Sequence, residues 1–322
     1  MGEPLRCDLV LGGGGVRGWA HIGALTALEE SGYEVIRAAG ASAGAVTGAF
    51  AIAGVPAPTL RGLFEDLDFT RFAFADVLGR LSARRGVGRL VRRWSDIDTE
   101  PFNWISAILE EQGIETFGDL RVSDGDATDP PERQYRLVVR CLDVVQRRVV
   151  RLPWDYHRYD LDPDAQSVAE AVRASMSIPF VYDPVRIGNR DTGRIGLLAD
   201  GGLTSGFPVS VLDRQDGSPP RWPTFGIRLM SRPEPRYEVP ESGIALARMM
   251  VDALLDSNDR LEPNTAGDER RTVRIDLSTV RAFDLDADEE HDMFADGYEA
   301  MASFLDGWDW LDYLDHWRPT ER

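Results

Sequence analysis

Two glycine-bounded turns lie close together near the start of this chain, and each follows a short apolar run. The first run, Cys7-Asp8-Leu9-Val10-Leu11, ends at Gly12, Gly13, Gly14 and Gly15. The second covers residues 33–39 and ends at Gly40-Ala41-Ser42-Ala43-Gly44. A helical pattern follows each turn. Residues 19–30 carry Ile22, Leu25, Ala27 and Leu28 at helical spacing, and residues 44–53 are rich in Ala and Gly. Gly32 is placed to stop the first helix, and Gly54 with Pro56 to stop the second. Strand–helix–strand–helix order with short connections has few solutions. It predicts parallel strands with helices on the faces of the sheet, an α/β class.

The rest of the chain extends this pattern. Residues 38–60 carry no charge, a length that invites a membrane-spanning reading. They also hold Pro56, Pro58 and the whole serine turn, so a buried core helix is the better reading. Residues 135–152 alternate like two strands with a turn near Val145 to Arg147. Residues 165–174 read as helix, and residues 195–199 as a buried strand that delivers Asp200. Further strands are expected over residues 224–229 and 272–277, and helices over 244–255 and 288–305. Residues 58–120 are helical but less regular. There Arg80, Arg84, Arg85, Arg89, Arg92 and Arg93 interleave with Leu81, Val87, Leu90, Val91 and Trp94. A solvated cover helix is favoured over a basic face for lipid headgroups. Packing of a terminal helix is favoured over a membrane foot for Trp308, Trp310 and Trp317.

Charge narrows the partners. The net charge is −18, and all 36 basic residues are arginine. An acidic surface argues against nucleic acid as a partner. It also disfavours broad attraction to anionic membranes, while a local basic patch can still touch one transiently. Cys7 and Cys141 sit in strand-like runs and read as buried free thiols rather than a disulfide framework. No apolar leader precedes the first strand, so the expected location is cytoplasmic, at most peripheral to a membrane.

The turns carry the chemistry. Gly-x-Ser-x-Gly between a strand and a helix pushes the Ser42 hydroxyl out of the sheet. Gly40 and Gly44 leave room where the backbone folds back. Ser42 also meets a helix N-terminus, where free N–H groups favour negative charge. Gly13-Gly14-Gly15-Val16-Arg17-Gly18 fits a dinucleotide loop. However, the following strand ends in the serine turn rather than in a ribose-binding acid, and Glu34 is near that strand's wrong end. The loop is therefore read as an oxyanion cradle, with N–H groups of Gly13, Gly14, Gly15 and Ala43 as donors. Arg17 is read as an anchor of the loop. A serine nucleophile needs a base. Asp200, at the end of a buried strand and followed by Gly201 and Gly202, is one candidate. His291 or His316 would complete a Ser–Asp–His order, and a non-catalytic nucleotide module remains a third reading. His291 lies in an acidic helical stretch, and His21 is assigned to packing.

Four blocks occur in an order that resembles the patatin-like phospholipases. They are Gly13-Gly14-Gly15-Val16-Arg17-Gly18, Gly40-Ala41-Ser42-Ala43-Gly44, Ala174-Ser175-Met176-Ser177-Ile178-Pro179-Phe180 and Asp200-Gly201-Gly202. The likeness covers about residues 8–213, which sets a catalytic domain there and a C-terminal α/β extension over residues 214–322. It implies a three-layer α/β/α fold with a mostly parallel sheet and a Ser42–Asp200 dyad without a catalytic histidine. It also implies acyl-ester cleavage on phospholipids or related lipids, with no metal and no cofactor.

Overall fold

The computed structural model describes residues 5–66, 102–122, 129–179, 182–204, 208–230, 265–277 and 287–317, with isolated positions between 239 and 254. The arginine-rich residues 80–93, Phe180 and most of the helix expected over residues 244–255 lie outside these. Along the chain run β1 (Leu5–Leu11), α1 (Gly18–Glu30), β2 (Tyr33–Gly40), α2 (Ala43–Ala53), α3 (Ala57–Asp66) and α4 (Asn103–Glu111). Then come β3 (Leu137–Asp143), β4 (Arg148–Leu152), α5 (Val168–Ser175), β5 (Val185–Asn189), β6 (Arg194–Asp200) and β7 (Thr224–Met230). The described elements end with α6 (Ala266–Arg270), β8 (Thr272–Asp276), α7 (Ala287–Asp306) and α8 (Trp310–His316). Strand β5 was not anticipated from the sequence. Its pattern is half-buried and interrupted by Gly188, which leaves little strand signal.

The strands form one mixed sheet in the order β5-β6-β3-β2-β1-β7-β8, with β4 paired to β3. Strands β1, β2, β3, β7 and β8 are mutually parallel neighbours. Central β1 is buried along its last five residues because helices and loops cover both faces. Leu11, Ala38 and Leu137 face α2, which approaches them at Gly48. Asp8 is the polar exception among those five residues, and it is answered. Arg37 of β2 pairs with it at 2.5 Å, and Trp222 donates to it at 2.8 Å. Helix α1 is buried almost all round. It packs backbone to backbone on α7, where a Cβ at Gly297 would run into the carbonyl of Ala20. Residues beyond 213 therefore complete the sheet through β7 and β8 and cover α1 through α7. Trp308 packs on Phe225 of β7, with ring centroids 5.1 Å apart.

The sheet forks at β3. Val139 pairs with Leu152 on β4 and with Gly40 on β2. Cys141, two residues on, pairs with Val150 on β4 and with Asp200 on β6. Since β4 occupies one edge of β3 throughout, β2 and β6 share the other edge. Strand β2 rises along it, and β6 descends antiparallel from the opposite end. The two strands meet nearly head to head. Asp200 ends a buried strand as expected, but that strand runs antiparallel to β3. The backbone leaves both strands at the same level, so Ser42 and Asp200 are brought together by the gap between two strand ends.

Candidate active site

Ser42 stands two residues past the end of β2 and caps α2, with φ 53° and ψ −127°. A non-glycine residue there stores about 1–3 kcal/mol of strain and persists only where surrounding contacts enforce it. Those contacts are visible. The Ser42 N–H donates to Ser175 Oγ at 2.8 Å, and Ser175 Oγ donates to the Arg140 carbonyl at 2.7 Å. Ser175 is wholly buried at the end of α5. It ties the serine turn to β3. In the sequence, the one signal Ser175 carries is its place in the block Ala174–Phe180.

Glycines let the turn close. A Cβ at Gly44 would lie 2.5 Å from the carbonyl oxygens of both Leu11 and Gly12. A Cβ at Gly201 would strike the Arg140 carbonyl. The two loops and the serine turn thus touch through backbone, at distances no side chain permits.

Ser42 Oγ donates to Asp200 Oδ2 at 2.8 Å. The other carboxylate oxygen accepts from the Gly202 N–H at 2.6 Å. Asp200 is fully buried. Burial pushes its carboxyl up to about 7, against the lowering effect of the bonds from Ser42 and Gly202. A carboxylate that titrates near neutrality and touches a serine hydroxyl is suited to take a proton.

The glycine loop closes over this pair. A Cβ at Gly13 would fall 3.3 Å from Gly202 Cα and 3.7 Å from Ser42 Cβ. Among the described residues, the N–H groups of Gly13, Gly14 and Ala43 donate to no protein acceptor. Ala43 opens α2, so its free N–H also lies at the positive end of that helix. Gly15 adopts φ 57° and starts the short 3-10 turn Gly15–Arg17. Buried Arg17 holds the loop from within, its Nε donating to the Gly14 carbonyl at 3.1 Å. Gly18 begins α1 against Ala43, where an added Cβ would come within 3.1 Å.

Among the described residues, none of the four histidines hydrogen-bonds to Ser42 or Asp200. His157 and His316 contact the carbonyls of Trp154 and Asp312. His291 is exposed on α7. His21 is fully buried in α1 with neither ring nitrogen bonded, and burial pushes it down to about 3, so it stays neutral. Glu34, the acid a dinucleotide site would need, is exposed at the far end of β2.

A family model described as patatin-like phospholipase matches residues 9–213. An uncharacterized protein of Bacillus subtilis, YqhO, is 32% identical over 263 residues, covering 78% of this chain and 79% of its own length. An uncharacterized NTE family protein of Mycobacterium tuberculosis is 53% identical over 49 residues, covering 15% of this chain and 14% of that protein. Lysophospholipase NTE1 of Yarrowia lipolytica is 27% identical over 215 residues, covering 65% of this chain but 12% of that protein. Among solved structures, VipD from Legionella pneumophila matches with a TM-score of 0.50 at 17% identity, covering 95% of this chain and 67% of that one. The last likeness is one of fold.

Proposed function

The chain belongs to the patatin-like phospholipase family, a family of lipid ester hydrolases, and on that premise we propose that it cleaves lipid acyl esters with Ser42 as nucleophile and Asp200 as base. The observation that carries this reading is the 2.8 Å bond from Ser42 Oγ to a buried carboxylate, with no histidine hydrogen-bonded to either residue among the described residues. Asp200 takes the hydroxyl proton as Ser42 Oγ attacks the ester carbonyl. The carbonyl oxygen becomes negative and rests on the free N–H groups of Gly13, Gly14 and Ala43. The tetrahedral adduct collapses to a Ser42 acyl ester, and the proton passes from Asp200 to the departing alcohol. Asp200 then takes a proton from water. The resulting hydroxide attacks the acyl ester, and Ser42 leaves with the proton restored, releasing the carboxylic acid.

In this proposal residues 8–213 carry the chemistry, and β7 and β8 complete the sheet around it. Among the described residues no helix is long and apolar enough to cross a membrane. The enzyme meets its substrate at a lipid surface. The test is direct. Ser42→Ala and Asp200→Asn should each lower hydrolysis of a p-nitrophenyl acyl ester by about 10³-fold or more while still unfolding cooperatively. A fluorophosphonate probe should label wild-type Ser42. Retained activity in either variant would overturn the dyad.

A further inference from the structure

The turn between β3 and β4 presents apolar side chains to solvent. Val144 and Val145 are 46% and 59% exposed, and Gln146, Arg147 and Arg148 after them are exposed as well. The turn is fixed from within. Asp143 is fully buried, and one of its carboxylate oxygens accepts from the N–H groups of Val145 and Gln146 at 2.8 and 3.1 Å. The other accepts from the Tyr159 hydroxyl at 2.6 Å. The Val144 N–H donates to the Leu197 carbonyl of β6 at 3.0 Å. With its backbone so held, the turn keeps both valines outward. Arg147 ends it at φ 54°, a left-handed conformation that glycine or asparagine adopts at least cost. An arginine there adds a charged side chain while straining the backbone.

Strand β3 outruns its parallel neighbour β2. Gly40, the last residue of β2, pairs with Val139, and Asp200 pairs with Cys141. Val144 follows Cys141 by three residues, which sets it about 10 Å past the level of Asp200, at the end of the sheet that carries Ser42. The turn between β5 and β6 leaves from this same end, since β6 runs back from it to Asp200. That turn carries Arg190, and Arg186 precedes it on β5. Arg147, Arg148, Arg186 and Arg190 are exposed, and none of their guanidiniums has a hydrogen-bond or ion-pair partner among the described residues. The two turns set one exposed carboxylate, Asp191, against these four charges. In the whole chain acidic residues outnumber basic ones 54 to 36. The local charge is thus the reverse of the protein's own.

Exposed valines beside unpaired guanidiniums fit a partner that is anionic at its face and apolar beneath it, which describes a bilayer of anionic lipid. A four-residue tip falls far short of the roughly 800 Å² per partner that a stable protein interface needs. A bilayer sets no such minimum, because each apolar side chain that enters it contributes by itself.

We propose that the β3–β4 and β5–β6 turns dock the protein on anionic bilayers, with Val144 and Val145 entering the interface and Arg147, Arg148, Arg186 and Arg190 meeting anionic headgroups. The proposal goes beyond the hydrolase reading, and binding is measured apart from turnover. The full chain is sedimented with vesicles of phosphatidylcholine alone and with vesicles of equal parts phosphatidylcholine and phosphatidylglycerol. Wild type should partition more strongly onto the mixed vesicles. Arg147→Gly should cut that partitioning about fivefold, and Arg147→Gly with Arg148→Gln about thirtyfold in all. The urea midpoint of Arg147→Gly should change little, because relief at positive φ offsets the extra chain entropy of glycine. Val144→Ser with Val145→Ser should weaken binding to both kinds of vesicle, since the apolar contribution does not depend on lipid charge. Each variant should cleave a soluble p-nitrophenyl ester at the wild-type rate. Wild type that binds neither vesicle, or both equally, would overturn the docking surface, as would arginine variants that bind the mixed vesicles like wild type. Ester cleavage that persists in those cases leaves the hydrolase reading standing. Binding to neither vesicle, with a protein retained from cell extract by wild type and not by the arginine variants, would move the turns to a protein partner and overturn the lipid assignment.

Discussion

Replacing Asp200 by Asn should stabilise the protein while abolishing its hydrolytic activity. Asp200 is fully buried, and its carboxyl is pushed up to about 7. An unfolded aspartate titrates near 3.9. The folded state therefore binds this proton more tightly than the unfolded state does, and stability falls as pH rises from about 4 to about 7, then levels. At about 1.4 kcal/mol per pH unit of difference, the charged carboxylate costs about 4 kcal/mol near pH 8 and less than half of that near pH 5. Asn removes the charge with little change in shape. Its Oδ1 can still accept from the Gly202 N–H, and its amide can donate to Ser42 Oγ, so neither bond at 2.6 and 2.8 Å need be orphaned. Urea unfolding followed by circular dichroism measures the difference. The variant should exceed wild type by a margin that grows between about pH 5 and about pH 8. A variant no more stable than wild type near pH 8, or a margin that does not change with pH, would refute the argument that burial of a charged carboxylate sets the cost.

Three further outcomes are expected. Because Asp200 must be ionised to act as base, kcat/KM for a neutral ester should rise with pH through one limb centred near 7, as read from a pH–rate profile. Ser175→Ala removes the acceptor of the Ser42 N–H and the donor to the Arg140 carbonyl. The loss of two buried bonds should cost about 2–4 kcal/mol in urea unfolding and lower kcat more than it raises KM, since the strained serine turn loses its brace. Gly44→Ala places a Cβ 2.5 Å from two backbone carbonyls. It should cost about 2 kcal/mol or more and slow fluorophosphonate labelling of Ser42, measured by gel fluorescence.

The early part of the fold is legible in the residues because its signals are local. Apolar runs over Leu9-Val10-Leu11 and before Gly40, periodic residues in α1, and Gly54 at φ 78° as the stop of α2 are each set by nearest neighbours along the chain. The serine turn and glycine loop are legible for the same reason, since each is a backbone requirement written in consecutive residues. Asp200 was a candidate on local grounds alone, yet a turn aspartate before Gly201 looks the same in sequence. Ser175 carried no role that could be read without its partners.

The residues alone determined the element types of the first two strand–helix units, the sharp turn at Ser42 and the small side chains that let loops approach. Tertiary structure decided which acid meets that serine. The choice depends on β6 pairing with the upper half of one edge of β3 while β2 holds the lower half of that edge, a non-local arrangement in which neither strand's own sequence names its neighbour. The carboxylate's proton affinity was likewise decided there, because it follows from the packing that removes water from Asp200 rather than from the residues on either side of it.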